Sequence, residues 1–513
     1  MILKLVKYHV INSRTMHSVP SGSYCGYDGN RASKDTIGFW KAANIILVNQ
    51  GLASVSFFGV NLTLVMLLTR VLDQDSATAA NTVTNWIGTS YLFSFVGAFM
   101  SDSYFGRYLT CIIFQLTFVL PVGCGDLESP CVQPSSVGVA TFYLSMYLVA
   151  LGYGGYQPTI ATFGADQFNE LDPEEKDSKD VFFIVPKRSF FNCALNFGCL
   201  LSGTVIVFLM DTGHWTFGFM ISMGSAIIGT ILFWLGKHRY RYFLPSGNPL
   251  TRIAQVFVAS LRKWTIDLPS NGDGLYEMEG ESAIKGSRKI LHSNEFGFLD
   301  RAATVNERDN LCGQNSINPW RLCTVTQVEE VKCLLKMLPI WLCTIIYSVI
   351  YTQTDTLFVE QGEVMSTRTP FFHLKLPAAS MSVFNIISVL IFTFVYGRCV
   401  PFIARFTRNP DGLTELQRIV GASEVFMHVG LLDFFNSQAP DGIKSLGSSL
   451  FTSSISLGNF LSSFLVRMVM IITTGKGSSG WIPVDLNKGH LERFYFLIVV
   501  LTAIDFVIYI CRN

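Results

Sequence analysis

Asp102 and Arg107 stand five residues apart in the run Gly97-Ala98-Phe99-Met100-Ser101-Asp102-Ser103-Tyr104-Phe105-Gly106-Arg107. An acid and a base at that spacing, beside glycines that let helices approach closely, suit an electrostatic latch between two helices. A helix turn that merely carries charges is the plainer alternative. Asp505 lies inside the apolar stretch 494–511, where an ionisable group is expensive and is either functional or a packing acid. Cys124 and Cys131 bracket a polar stretch and would pair if it faced an oxidising compartment. Cys111, Cys193, Cys199, Cys343 and Cys511 sit in apolar runs and read as small hydrophobes. The sequence offers no nucleophile–base set, metal-ligand cluster or phosphate-binding loop, so no enzyme, metal or cofactor is expected.

The elements that must position these groups follow from composition. The chain has 513 residues, half of them apolar and 15% charged, with a mean hydropathy of +0.38. A soluble domain carries about 25% charged residues. Charge is also segregated: 24 of the 75 charged residues fall between 237 and 332. This is the pattern of an all-α, polytopic membrane helix bundle with one large polar loop. The net charge of +1 argues against a nucleic-acid partner, which would need a basic surplus. Residues 1–35 lack the apolar core of a secretory signal, so the first membrane helix is expected to direct targeting.

Apolar windows long enough to span a bilayer occur at 42–69, 76–101, 136–160, 189–210, 214–236, 376–397 and 445–466. Shorter ones lie at 337–354 and 494–511. Two are substandard. The window 108–120 offers about 20 Å of helix against a hydrocarbon core of about 30 Å. The window 414–435 carries Glu415, Arg418, Glu424 and Asp433. The total is about 11 spans, six before the loop and five after. Lys and Arg cluster in 1–41, 237–263 and 398–412, which predicts that these segments are cytoplasmic. The expected organisation is a cytoplasmic N-terminal segment (1–37), a six-helix bundle (38–236), a cytoplasmic loop (237–332) and a second bundle (333–513). In the loop, Leu250, Ile253, Phe257, Leu261 and Trp264 recur at helical spacing opposite Arg252, Arg262 and Lys263. That stripe predicts an amphipathic helix, either at the membrane interface or packed on the loop itself. Residues 268–320 read as linker.

The Gly97–Arg107 run resembles the signature between the second and third helices of the major facilitator superfamily. More specific matches are Thr162-Phe163-Gly164-Ala165-Asp166-Gln167-Phe168, Asn196-Phe197-Gly198, Tyr240-Arg241-Tyr242-Phe243 and Pro339-Ile340-Trp341. Others are Glu424-Val425-Phe426, Ser454-Ile455-Ser456-Leu457-Gly458-Asn459 and the run from Leu486 to Phe494. Together, over about 36–511, they resemble the plant nitrate/peptide transporter family of the proton-dependent oligopeptide transporter group. The stretch from Asn318 to Glu330 is similar to the subgroup linked to xylem nitrate.

The resemblance implies two six-helix bundles around a midplane substrate site exposed alternately to each side. It also implies ionisable groups that this chain has replaced. The family's Glu-x-x-Glu-Arg motif matches Gln50, Ala53 and Ser54; the fourth-helix Lys matches Gln157; the seventh-helix His of some nitrate-transporting members matches Tyr351. None of these titrates near neutral pH. Glu424 is then the chief surviving buried acid, expected to carry protons and to lie across the pathway from Gln157, with Tyr351 also facing the cavity. A Glu that simply reaches water near a helix end is the alternative. Ser103 matches a position where some members carry a phosphorylatable Thr; an ordinary surface Ser is the other reading. Phe57, Phe58, Tyr91, Tyr143 and Tyr351 read as lipid-facing or helix-packing rather than as a ligand cage.

The function implied is secondary transport of a small solute, nitrate first, with proton coupling weakened or absent. The alternatives are another cargo (potassium or a peptide-like metabolite), or a transport-inactive membrane protein or sensor. The expected surroundings are membrane lipid, with the plasma membrane as location; the sequence fixes no oligomeric state. The resemblance also implies a shortened second bundle. It runs through 413–419, the start of a ninth helix, and resumes at 421, midway down a tenth. Two spans and their connection need at least ~45 residues, and 413–436 is far shorter. A re-entrant bend near Gly421, or a single span through it, would follow.

Overall fold

The computed structural model describes residues 26–27, 38–70, 72–74, 76–119, 136–169, 172–183, 190–243, 247–266, 274–277, 289–306, 318–355, 383, 386–387, 431, 434–435, 438–474, 480–482 and 489–512. Glu424, Gly421, Cys124, Cys131 and most of the windows 376–397 and 414–435 lie outside these residues.

The uncharged first window becomes α1 (Phe39–Arg70), and the second becomes α2 (Ser76–Leu92) and α3 (Ser94–Met100), interrupted at Phe93. A π-helical turn (Ser101–Phe105) leads into α4 (Gly106–Val119). The fourth window forms α5 (Ser136–Ala165), followed by the short α6 (Pro173–Phe183). The fifth is α7 (Phe190–Leu201), a π turn (Ser202–Ile206) and α8 (Val207–Asp211); the sixth is α9 (Trp215–Leu235). The loop helix is α10 (Pro249–Arg262). Beyond it come α11 (Val325–Asp355), α12 (Lys444–Thr473) and α13 (Leu491–Arg512). Among the described residues, six helices are long and apolar enough to cross a membrane, and there are no named strands, only the isolated bridge Leu275–Thr304.

Two apolar clusters hold the first half together. One, at the loop face, gathers Ala43, Ile46, Tyr108, Phe163, Phe182 and Phe233. The other gathers Phe57, Trp86, Phe118 and Tyr153, with Phe57 stacked on Tyr153. These aromatics pack helices, as their place in apolar windows suggests. Backbone contact between α3 and α5 depends on glycine: a Cβ on Gly97 would collide with the carbonyl of Gly155. The loop face is closed by Arg241, whose guanidinium holds Glu175 (NH2 to Oε1, 3.1 Å) and the carbonyl of Gln167 (3.0 Å).

α12 joins the two halves. On one side, Trp341 of α11 donates to Ser453 Oγ (3.0 Å) and Gln353 to Ser462 Oγ (2.7 Å). On the other, Ser456 Oγ donates to the carbonyl of Gly88 and Thr452 Oγ1 to Ser94 Oγ, each at 2.7 Å. Along this stretch of α12 the contacts are made by hydroxyls.

α10 packs on the loop through Val256 and Ala259, which meet Leu299, Ala302, Ala303, Cys323, Val328 and Val331. Ile253 and Phe257 lean on this core, while Leu250, Leu261 and Trp264 stay exposed. The apolar stripe thus divides between packing and solvent-facing positions. The 3-10 turn Gly297–Ala303 supplies three of the core residues. That part of 268–320 is not linker: small alanines bury without raising local hydropathy enough to mark it.

Candidate functional site: an amide row and a latch

α1 presents Asn49, Gln50, Ala53 and Ser54 inward, all buried. Across from them α5 presents Tyr153, Tyr156 and the half-buried Gln157. Gln50 Nε2 donates to Gln157 Oε1 at 3.2 Å. Asn49 Nδ2 donates to the Tyr156 hydroxyl at 2.9 Å, and Gln115 of α4 donates to Asn49 Oδ1 at 2.7 Å. The result is a row of neutral amides and hydroxyls spanning α4, α1 and α5. Gln50 Oε1 is buried without a hydrogen-bond partner, so the row keeps an acceptor in reserve. Such a row can donate to and accept from a solute or water, but it holds no proton to exchange near neutral pH.

Tyr351 is half-buried towards the end of α11, beside the buried Thr352 and Gln353. The structure brings Gln50 and Gln157 together; no contact joins Tyr351 to them among those described. Asp505 is half-buried on α13.

The latch is assembled at the loop face. The π turn Ser101–Phe105 and Gly106 at φ +70° bring Asp102 round towards Arg107. Arg107 Nε lies 4.0 Å from Asp102 Oδ1, and its NH1 pairs closely with Asp166 at the end of α5. Both contacts reach α12: the Leu446 amide donates to Asp102 Oδ2 (3.2 Å), and Arg107 Nε donates to Ser445 Oγ (3.4 Å). Thr162 and Ser445 hydroxyls lie 3.3 Å apart. Asp102 is buried, and burial pushes its carboxyl up to about 6 against the pull of Arg107. Ser103 is half-buried, with its hydroxyl oxygen shielded and without a hydrogen-bond partner.

Spacing alone missed the partnership of Arg107 with Asp166, although Asp166 stood in a quoted motif. It also missed Ser445. Among the described residues, His292, Asp300 and Glu329 are spaced as metal ligands could be. The Lys332 ammonium already bridges Asp300 (2.7 Å), Glu329 (2.8 Å) and the Ser293 carbonyl (2.7 Å), so this is a buried ion-pair cluster.

Over residues 111–421 the sequence matches the family model PTR2, described as the POT family. The chain belongs to the POT family. Relatives agree with this at high identity. Protein NRT1/PTR family 7.1 of Arabidopsis thaliana is 53% identical over an alignment of 526 residues that covers 92% of this chain and 84% of the relative. That alignment is longer than the part of this chain it covers, so the relative carries segments with no counterpart here. Protein NRT1/PTR family 7.3 of the same plant is 48% identical, covering 94% and 89%. In fold, the chain is similar to the POT family transporter PepTSo (TM-score 0.59, 18% identity, 93% and 99% covered). It is also similar to an auto-inhibited POT family peptide transporter (TM-score 0.57, 18% identity, 90% and 96% covered). POT membership makes the chain a multi-pass integral membrane transporter of a small solute, not an enzyme.

Proposed function

We propose that this POT family chain moves a small inorganic or organic solute, nitrate first, by alternating access, with little dependence on a proton gradient. The observation that carries the reading is the 3.2 Å amide–amide contact of Gln50 with Gln157. Where the family resemblance implies an acid and a Lys, this chain pairs two neutral groups. A proton-coupled site needs a group that gains and loses charge inside the membrane, and the row offers none. Glu424 is the remaining candidate for that role. The basic segments favour a cytoplasmic loop face and N-terminus, with 38–236 and 333–513 as the two moving halves and the plasma membrane as location.

The relatives' segments that lack a counterpart here favour a second reading, in which the second half is short of wall and the chain senses rather than transports. Uptake and current recorded in oocytes with nitrate, potassium and dipeptides would separate the two. Solute movement that changes little between neutral pH and about pH 5.5 is expected. A rise of about tenfold over that range, kept in Glu424→Gln, would refute weak coupling. No movement of any solute by the correctly inserted chain would favour the sensor.

A further inference from the structure

Arg252 is a buried guanidinium in a loop whose composition is polar. It grips Glu330 of α11 with two prongs, Nε to Oε2 at 2.9 Å and NH2 to Oε1 at 3.0 Å. The same NH2 group donates to the carbonyl of Gly442 at 3.0 Å, and NH1 to that of Gly247 at 3.1 Å. Gly442 lies in the 3-10 turn Asp441–Ile443, immediately before α12. Ser445 and Leu446, which meet Arg107 and Asp102, follow in the first turn of α12. One side chain of α10 therefore ties together the start of α11, the turn that aims α12, and through that turn the latch between halves. Its charge is also near enough to favour the ionised form of Asp102.

We propose that Arg252 is a positioning residue of the latch: by fixing the turn before α12 it sets where Ser445 and Leu446 meet Arg107 and Asp102, so the loop helix governs how readily the two halves part at this face. Arginine suits the task because its planar fork satisfies a carboxylate and still has an N–H to give a carbonyl. Lysine would keep the charge and lose the fork. The apolar contacts of α10, through Val256 and Ala259, are made by other residues, so the latch role and the loop's own packing separate by mutation. The functional meaning rests on the transporter reading; the contact itself is testable whether or not a substrate is found.

Hydrogen–deuterium exchange of the purified full-length chain tests it, on peptides spanning 101–110, 249–262, 296–304 and 441–450. Arg252→Ala is expected to speed exchange at least about tenfold in both 101–110 and 441–450, and Arg252→Lys by an intermediate amount. Val256→Ala is expected to loosen 249–262 and 296–304 alone. Should Arg252→Ala fail to fold, Arg252→Lys and Glu330→Gln carry the test, each speeding the two latch peptides by about threefold. Latch peptides unchanged in both of these variants, or speeded as much by Val256→Ala as by Arg252→Lys, would overturn the proposal.

Discussion

The Gln50 carboxamide donates to that of Gln157 across 3.2 Å, joining α1 to α5 through two uncharged groups. The contact lies within two long apolar helices, with Gln50 buried and Gln157 half-buried, so for Gln50 the partner amide stands in for water. Gln50→Glu alone puts an unpartnered charge at a buried position and is expected to cost about 3–5 kcal/mol; Gln157→Lys, at a half-buried one, is expected to cost less. The double variant is expected to recover much of that loss. Thermal unfolding of the purified protein measures the cycle. Additive losses would mean that the two side chains do not meet.

Arg107 leans on Asp166 rather than on the acid five residues before it. Asp166→Asn is expected to cost about 2–4 kcal/mol, because it leaves a largely buried guanidinium short of a counter-charge. Asp102→Asn keeps an acceptor for the Leu446 amide and is expected to cost under about 1 kcal/mol. Equal losses in unfolding midpoint would place the counter-ion wrongly.

Two acids at the loop face respond to pH with opposite signs. Asp102, pushed up to about 6 by burial despite Arg107, holds its proton more tightly folded than unfolded. Its ionisation opposes folding above about 6, and the strain eases as pH falls below that value. Glu175 is also raised by burial, but the hydrogen bond and charge of Arg241 outweigh this and leave its carboxyl below the usual range. Its stabilisation is present above the ordinary Glu value and is lost as pH falls through the lower folded one. Melting temperature is therefore expected to rise slightly from neutral pH to about 5, and to fall below about 4. Asp102→Asn should reduce the rise, and Glu175→Gln should flatten the acid fall.

Gly97 crosses Gly155 with no room for a side chain. Gly97→Ala is expected to push α3 off α5 and cost about 1–3 kcal/mol, lowering both the yield of folded protein and its melting temperature. Gly224, which has open space around it, is the control, and its Ala variant should be nearly silent. Because alanine favours a helix over glycine by about 1 kcal/mol, matching losses at both positions could not come from propensity and would mean that the crossing is not what Gly97 serves.

Composition and apolar windows were enough to read the helices, because a helix in lipid needs little beyond length and missing charge. They placed α1 and α9 to within a few residues and found the starts of α5 and α12, whose far ends run beyond the windows. The latch was half legible: Asp102 and Arg107 announce themselves by spacing, but Asp166 and Ser445 reach them only through the fold. Gln50 and Gln157 were each readable as substitutions, yet nothing local shows that two glutamines 107 residues apart touch. The loop core was hidden for another reason: Ala259, Ala302 and Ala303 are fully buried, but alanine looks the same in a linker. Arg252 was read as the polar side of an amphipathic helix, since burial of a guanidinium needs a partner that only the folded chain supplies.

The hydroxyl seam of α12 has a consequence for motion. A lysine or amide that lost its partner across a parting interface would be stranded without water, and the interface would stick. Thr452 already shares its bond to Ser94 with the carbonyls of Ser448 (3.4 Å) and Ser449 (3.0 Å) of its own helix. Ser456 can turn in the same way to its own preceding turn when it leaves Gly88, as serines in helices do. Thr452 therefore already has a second acceptor at home, and Ser456 has one within reach of a rotamer change. Separation at these two hydroxyls would swap one hydrogen bond for another instead of breaking it, which leaves the charged contacts of Asp102 and Arg107 with α12 as the polar contacts that resist parting.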